Sequence, residues 1–142
     1  MYILSQIHGQ YLKTKVLSKR EEIQQGMMGR TFSNRFAAVL FVMPTEESSF
    51  WMKNCIIPLD VIFIQNGIVT KIYHNCPPCQ ERKVEKREKE KEKEKEKEKE
   101  KEEDKACKLY HGKGNLVLEV EGGTSKRLKL KKGDPISFFH TK

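Results

Sequence analysis

The sequence predicts an α+β domain that is mainly β, folded as a small antiparallel barrel or sandwich with one or two short helices. Two observations carry this prediction: apolar runs of strand length recur along the chain, and only two segments have helix signals. The length agrees, because 142 residues correspond to about one domain. No apolar run approaches the roughly 18 residues that a membrane-spanning helix needs, so we expect no transmembrane segment.

The first half of the chain combines strand and helix signals. Ser18 begins the first predicted helix, because Ser18 and Glu21 fit a capping box and Gly29 can end the helix. Pro44 closes the strand that follows. The strands predicted in this half cover residues 13–17, 37–43 and 49–54.

The strongest local signal is the dipeptide Asn66-Gly67. It joins two β-branched runs, at 59–65 and 68–74. A type I′ turn needs positive φ at both central positions, which Asn and Gly tolerate better than other residues. The sequence therefore predicts a hairpin centred on this dipeptide.

The C-terminal segment contains two further strand signals and a second short helix. The strands are predicted at 116–120 and 136–139. Gly122-Gly123 ends the first of them, and Thr124 can begin a helical turn that reaches Leu130.

A charged low-complexity insertion interrupts the domain. Residues 80–105 contain 26 residues, of which 12 are basic and 12 acidic, largely in Lys-Glu alternation. A period of two gives no apolar face to bury, so we expect this segment to be disordered. The single β-rich domain is predicted to comprise residues 1–79 and 106–142, which carry the whole net charge of +8.

The spacing of cysteine and histidine raises the possibility of a zinc site. Cys76 and Cys79 have C-x-x-C spacing, and Cys107 with His111 could complete a tetrahedral set. His74 competes for the fourth position. The alternative is that these thiols are ordinary loop and core side chains, with no cofactor.

A series of ordered segments points to a known family. In chain order the segments are Gly26-Met27-Met28-Gly29-Arg30, Leu40-Phe41-Val42-Met43-Pro44, Phe50-Trp51-Met52-Lys53-Asn54, Ile57-Pro58-Leu59-Asp60, Asn75-Cys76-Pro77-Pro78-Cys79, Cys107-Lys108-Leu109-Tyr110, 116–119 and 122–134. Together they resemble the family known as domain of unknown function 192, from about Lys13 to Phe138. The resemblance implies a compact, mainly β single domain and no established catalytic activity.

The chain departs from the family pattern at three places. Cys55 stands where the family usually has Thr, Cys76 stands where it usually has Val, and the charged insertion is foreign to it. Cys79 and Cys107 align with the cysteines of the family, so the resemblance favours a disulfide between them as the competing interpretation of the metal set. That bond would pin the two ends of the insertion together.

The N-terminus bears on the redox state of these cysteines. Residues 1–6 lack the basic start and apolar run of a secretory signal, so we expect a cytoplasmic location. A reducing compartment argues against a stable disulfide.

Four residues within the resembling segments form the predicted ligand site. Arg30, Lys53, Asn54 and Asp60 could converge as a basic pocket with one carboxylate, suited to a small anionic ligand or a protein partner. The alternative is a structural ion pair between Asp60 and one of the two cations. The neighbouring Trp51 is predicted to be buried.

The sequence therefore predicts a non-enzymatic module that binds a ligand or a partner. No catalytic residue is assigned, because no nucleophile, base and orienting group can be assembled from spacing. One alternative is a small enzyme that uses Asp60, His74 or Cys79. A second is a basic accessory protein that contacts nucleic acid, since the isoelectric point is near 9.3. Its basic cluster consists of Lys126, Arg127, Lys129, Lys131 and Lys132; without interleaved aromatic residues it predicts only weak, non-specific binding.

Overall fold

Strands dominate the computed structural model of the protein, which describes residues 1–80 and 107–141. The strands are β1 Tyr2–Ile7, β2 Gln10–Leu17, β3 Ala38–Val42, β4 Glu47–Trp51, β5 Leu59–Gln65, β6 Ile68–Cys76, β7 Leu109–Lys113, β8 Leu116–Glu121 and β9 Ser137–His140, and the helices are α1 Arg20–Gln25 and α2 Thr124–Arg127. The prediction of a mainly β domain with short helices is confirmed. The disorder predicted for 80–105 falls, apart from Gln80, outside the described residues.

Seven strands form one mixed sheet in the order β6-β5-β8-β3-β2-β1-β9. Every neighbouring pair is antiparallel except β2 and β3, which are parallel. Parallel neighbours need a crossover connection, and here the connection contains α1. The remaining strands, β4 and β7, pair with each other in a separate two-stranded sheet.

The seven-stranded sheet is open, so the closed barrel among the predicted architectures is wrong. Its outer strands are β6 and β9, and β9 pairs with β1 rather than with β6. The two outer strands come near each other just before β9 begins. There, a bridge between Ile68 and Pro135 and a hydrogen bond from the Val69 amide to the Asp134 carbonyl join β6 to the segment before β9. Pro135 occupies the non-hydrogen-bonded position of this bridge, and the amides of Val69 and Ile136 make its two hydrogen bonds.

The hairpin at Asn66-Gly67 forms as predicted. The φ angles of Asn66 and Gly67 are 52° and 76°, as a type I′ turn requires. The first helix begins later than predicted, because Leu17 still pairs with Phe41 in the sheet. Its capping carboxylate is therefore that of Glu22, which accepts a hydrogen bond from the Lys19 amide at 3.1 Å, rather than that of Glu21.

Two hydrophobic cores lie on opposite faces of the large sheet. Alternate residues of β8 show the division: Val117 belongs to the first core, whereas Leu118 and Val120 belong to the second. The first core is covered by the segment after α1 and by the β4–β7 sheet. Glu119 shares its face of β8 with Val117, so its side chain points to the first core. No helix within the described ranges is long and apolar enough to cross a membrane.

Candidate functional site

An apolar cavity of about 410 Å³ opens between the end of α1, β3 and β4. We call it the Glu119 cavity, after the carboxylic acid in its lining. Its apolar lining residues include Ile23, Met27, Met28, Phe41, Phe50 and Trp51. This volume falls in the usual range for small-molecule sites, of the order of 300–1,000 Å³.

Gly26 shapes one wall of the Glu119 cavity. Its φ of 46° turns the chain at the end of α1, and a Cβ at this position would lie 3.1 Å from Cζ of Phe41. The helix end can therefore pack closely on the Phe41 ring. Phe50 meets the same ring edge to face, with the ring centroids 5.0 Å apart. A glycine and two aromatic rings thus fix the width of the cavity.

Glu119 supplies the carboxyl group in the lining of this cavity. It lies in the middle of β8, paired with Val39 of β3 and Val61 of β5, and only 3% of the residue is exposed. Among the residues that the structure describes, none donates a hydrogen bond to its carboxylate or forms an ion pair with it. Burial raises the pKa of Glu119 from 4.5 to about 8. The side chain is therefore mostly a neutral carboxylic acid at pH 7.

The thiol in the same cavity is also held in its neutral form. Burial, with a smaller contribution from the Glu119 charge, raises the pKa of Cys55 to about 12. Burial likewise raises the pKa of Cys76, the other free cysteine in the described chain, to about 11. Reactive cysteines need a lowered pKa, so neither thiol has the properties of a nucleophile.

Trp51 is exposed, contrary to the prediction. Strand β4 alternates, so Phe50 turns toward the first core and 39% of Trp51 remains accessible. The ammonium nitrogen of Lys53 lies 5.0 Å from the centroid of the indole ring. Trp51 also lines the Glu119 cavity, and an exposed aromatic residue at a cavity is typical of a binding surface.

Asp60 is buried among backbone amides. Its Oδ1 accepts hydrogen bonds from the amides of Asn75 at 2.7 Å and Gly123 at 3.2 Å, and its Oδ2 accepts one from Ser125 at 2.8 Å. Its partner across β8 is Val120, a residue of the second core. Asp60 therefore faces α2, on the opposite side of the sheet from Glu119.

The other predicted ligand residues lie near the first core. Backbone contacts tie Gly29 to Asn54 and Met28 to Cys55, so the segments that carry Arg30 and Asn54 are adjacent. The backbone of Lys53 bridges Cys79. The structure thus brings the segments of Arg30, Lys53 and Asn54 to one region and places the Asp60 carboxylate elsewhere.

The four predicted zinc ligands have three different environments. Cys79 and Cys107 form a disulfide, the arrangement that competes with the metal set. Cys76 is a buried free thiol, and Nδ1 of His111 lies 3.0 Å from the hydroxyl of Ser49. Within residues 1–80 and 107–141, no three His, Cys, Asp or Glu side chains are grouped so that they could hold a metal ion.

The three residues of the enzyme alternative either make other contacts or lie away from the Glu119 cavity. Asp60 accepts three amide hydrogen bonds, and Cys79 is oxidised in the disulfide. His74 is exposed on β6 and does not line the Glu119 cavity.

The basic cluster of the nucleic-acid alternative is exposed along α2 and the turn that follows it.

Glu119 was not among the predicted site residues. A signal for it exists, because it is the one acid inside the apolar run at 116–120. An acid in such a run fits an edge strand equally well, with its side chain in solvent. Only the pairing of β8 with β3 and β5 makes the position central.

Replacing Asp60 with asparagine is expected to lower the free energy of unfolding by about 2 kcal/mol, because one oxygen becomes an NH₂ group that faces amide donors. Urea denaturation at pH 7 measures the change. Glu121→Gln, an exposed acid-to-amide exchange on β8, is the control and should change stability little. Equal stability of the two variants would contradict a structural role for the Asp60 carboxylate.

Comparisons with known proteins give the family and the fold. The model of domain of unknown function 192, described as Uncharacterized ACR, matches residues 3–138. A protein of unknown function from Novosphingobium aromaticivorans has a TM-score of 0.65 and 24% identity, over 96% of this chain and 82% of its own. A Sinorhizobium meliloti protein described as a candidate transcription regulator has a TM-score of 0.67 and 22% sequence identity. The match covers 97% of this chain and 94% of the other.

Both structural neighbours are less than 25% identical to this chain, so they show the fold alone. No curated protein matches the sequence. The family model, in contrast, covers most of the chain and includes the segments that line the Glu119 cavity. The chain belongs to the domain of unknown function 192 family.

Proposed function

We propose that this protein is a binding module for a small, largely apolar molecule that carries one polar group. The Glu119 cavity is the site, and Glu119 meets the polar group. One observation carries the proposal: a buried carboxyl group without a hydrogen-bonding partner in the described chain faces a cavity of ligand size. Because no group of the described chain satisfies this carboxyl group, its hydrogen-bonding capacity is available to a molecule that enters the cavity.

The lining agrees with binding of an apolar body. Aromatic and methionine side chains offer a large apolar area, and methionine adapts its shape to different ligands. Exposed Trp51 adds a ring at the cavity. Apolar walls with few polar groups are the usual composition of small-molecule sites.

Acid–base catalysis at Glu119 is a second candidate function. The observation that favours it is the pKa of about 8, since catalytic acids and bases operate best near the ambient pH. Binding ranks first because the described lining residues include no activated nucleophile beside this acid, since the Cys55 thiol has a pKa of about 12. Turnover of a bound compound by the wild type and its loss in Glu119→Gln would favour catalysis.

The single tryptophan of the chain provides the test of binding. Because Trp51 lines the cavity, its fluorescence should change when a ligand enters. The probes are three compounds of similar size: 2-phenylethylamine, 2-phenylethanol and 3-phenylpropanoate. We expect saturable fluorescence changes with at least one of them.

A variant that covers the cavity makes this test specific. Ser49→Phe places a ring at the cavity lining and should weaken binding at least tenfold. The matched control is Ser137→Phe, at an exposed position of β9 outside the lining. If no probe gives saturable binding, or if both variants bind like the wild type, the proposed function is wrong.

A further inference from the structure

We infer that the ligand of the Glu119 cavity is an organic ammonium ion, whose nitrogen pairs with the Glu119 carboxylate while its apolar body lies among the aromatic rings. This inference rests on the proposed function and names its ligand class. Glu119 supplies the anion, and none of the lining residues that the structure describes is a Lys, Arg or His. Because the described lining holds no cation, we expect the positive charge that compensates the Glu119 carboxylate to come with the ligand.

The aromatic residues of the cavity favour a cation over an anion. The faces of Phe, Tyr and Trp rings carry negative electrostatic potential, so they attract ammonium groups. The protein shows this attraction at Trp51, one of the lining residues, because the Lys53 ammonium nitrogen lies 5.0 Å from the centroid of its ring. Phe41 and Phe50 present further aromatic surface inside the cavity. An anion would meet Glu119 with no cation among the described lining residues to offset the repulsion.

The surroundings of the cavity indicate where an apolar tail would lie. A second cavity of about 550 Å³ adjoins the first, and the two share Ile23, Gln24 and Met43. Val42 and Pro44 extend its apolar lining along the surface, and Arg20 is the cation in its lining. An ammonium ion with an alkyl or arylalkyl chain can place its charge at Glu119 and its tail in this second cavity. Tighter binding of longer-chain amines is therefore expected.

Proton release accompanies binding of this ligand class. Free Glu119 holds a proton at pH 7, since burial raises its pKa to about 8, and an ammonium ion stabilises the ionised form. Binding below pH 8 must then expel up to one proton, and affinity should rise as the pH approaches 8. Within the described part of the chain, the two thiols that feel the Glu119 charge are those of Cys55 and Cys76, and their pKa values of about 12 and 11 keep them neutral in this range. The groups on β3, β4 and α1 that line the cavity do not titrate.

The experiment compares 2-phenylethylamine, 2-phenylethanol and 3-phenylpropanoate by calorimetry at pH 7 and pH 8, in two buffers with different ionisation enthalpies. We expect the amine to bind at least tenfold more tightly than the alcohol at pH 8. The buffer pair should report release of up to one proton per bound amine at pH 7. The propanoate should bind most weakly.

Two matched variants separate the charge of Glu119 from the integrity of the cavity. Glu119→Gln should reduce amine affinity to that of the alcohol while alcohol binding changes little. Glu121→Gln, an exposed position two residues along β8, should bind like the wild type. Equal binding of amine and alcohol, or an unchanged amine preference in Glu119→Gln, would overturn the ammonium assignment and leave the binding module intact. Failure of all three probes to bind the wild type would overturn both.

Discussion

Replacing Gly112 with alanine is expected to destabilise the domain by about 3 kcal/mol or more, because the added methyl group would overlap the Phe63 ring. Gly112 lies in β7, and a Cβ at this position would lie 2.6 Å from Cδ1 of Phe63 and closer still to Cγ. Phe63 is fully buried in the first core, and its ring contacts those of Phe50 and Tyr73. The ring has no free space to enter, so the β4–β7 sheet must move away from the core.

A second glycine variant separates steric overlap from backbone strain. Gly133 has a φ of 94°, but a Cβ there would meet nothing within 4 Å. Gly133→Ala should therefore cost about 1 kcal/mol from strain alone. Urea denaturation followed by Trp51 fluorescence measures both variants. If Gly112→Ala lowers the free energy of unfolding no more than Gly133→Ala does, β7 does not pack closely on Phe63.

Local signals predicted the parts of the fold that local interactions determine. The bounds of β5 and the turn at Asn66-Gly67 match the structure, because this turn needs only the conformational preferences of two adjacent residues. Strand β1 was not predicted, since Ser5 interrupts its apolar alternation. Ser5 is nevertheless buried, because its hydroxyl lies 2.6 Å from that of Thr14 on β2. A polar pair of this kind becomes visible only when both strands are in place.

The site depended on contacts that are distant in sequence. The resemblance to the family drew attention to segments that do line the cavity, such as Met27-Met28 and Phe50-Trp51. It did not identify Glu119, whose burial requires pairing with Val39 and Val61. The three amides that bind Asp60 come from residues 75, 123 and 125, so spacing gave no means of assigning them.

The stability of the ligand-free protein should fall as the pH rises from about 5 to 8, and Glu119→Gln should remove much of this fall. Glu119 has a pKa of about 8 in the folded protein and an ordinary value of 4.5. Below pH 4.5 both states hold the proton, so Glu119 contributes no pH dependence. Between the two values the unfolded chain releases the proton while the folded protein retains it. Rising pH therefore favours the unfolded state.

The size of this effect follows from the pKa difference. One pH unit corresponds to about 1.4 kcal/mol. The free energy of unfolding should therefore be lower at pH 7 than at pH 4.5 by on the order of 3 kcal/mol. Glutamine has nearly the same shape and does not ionise. We expect Glu119→Gln to be as stable as the wild type near pH 5. At pH 7 its free energy of unfolding should be higher than that of the wild type by on the order of 3 kcal/mol. Thermal and urea denaturation across this range provide the measurement.

The matched control again lies on the same strand. Glu121 is exposed, so Glu121→Gln should retain the pH dependence of the wild type. Parallel pH profiles of the wild type and Glu119→Gln would show that Glu119 ionises normally in the folded protein. A saturating amine should reduce the fall in wild-type stability toward pH 8, because a bound ammonium ion stabilises the ionised carboxylate. The same carboxylate that destabilises the empty domain at neutral pH would then be the group that makes it dependent on its ligand.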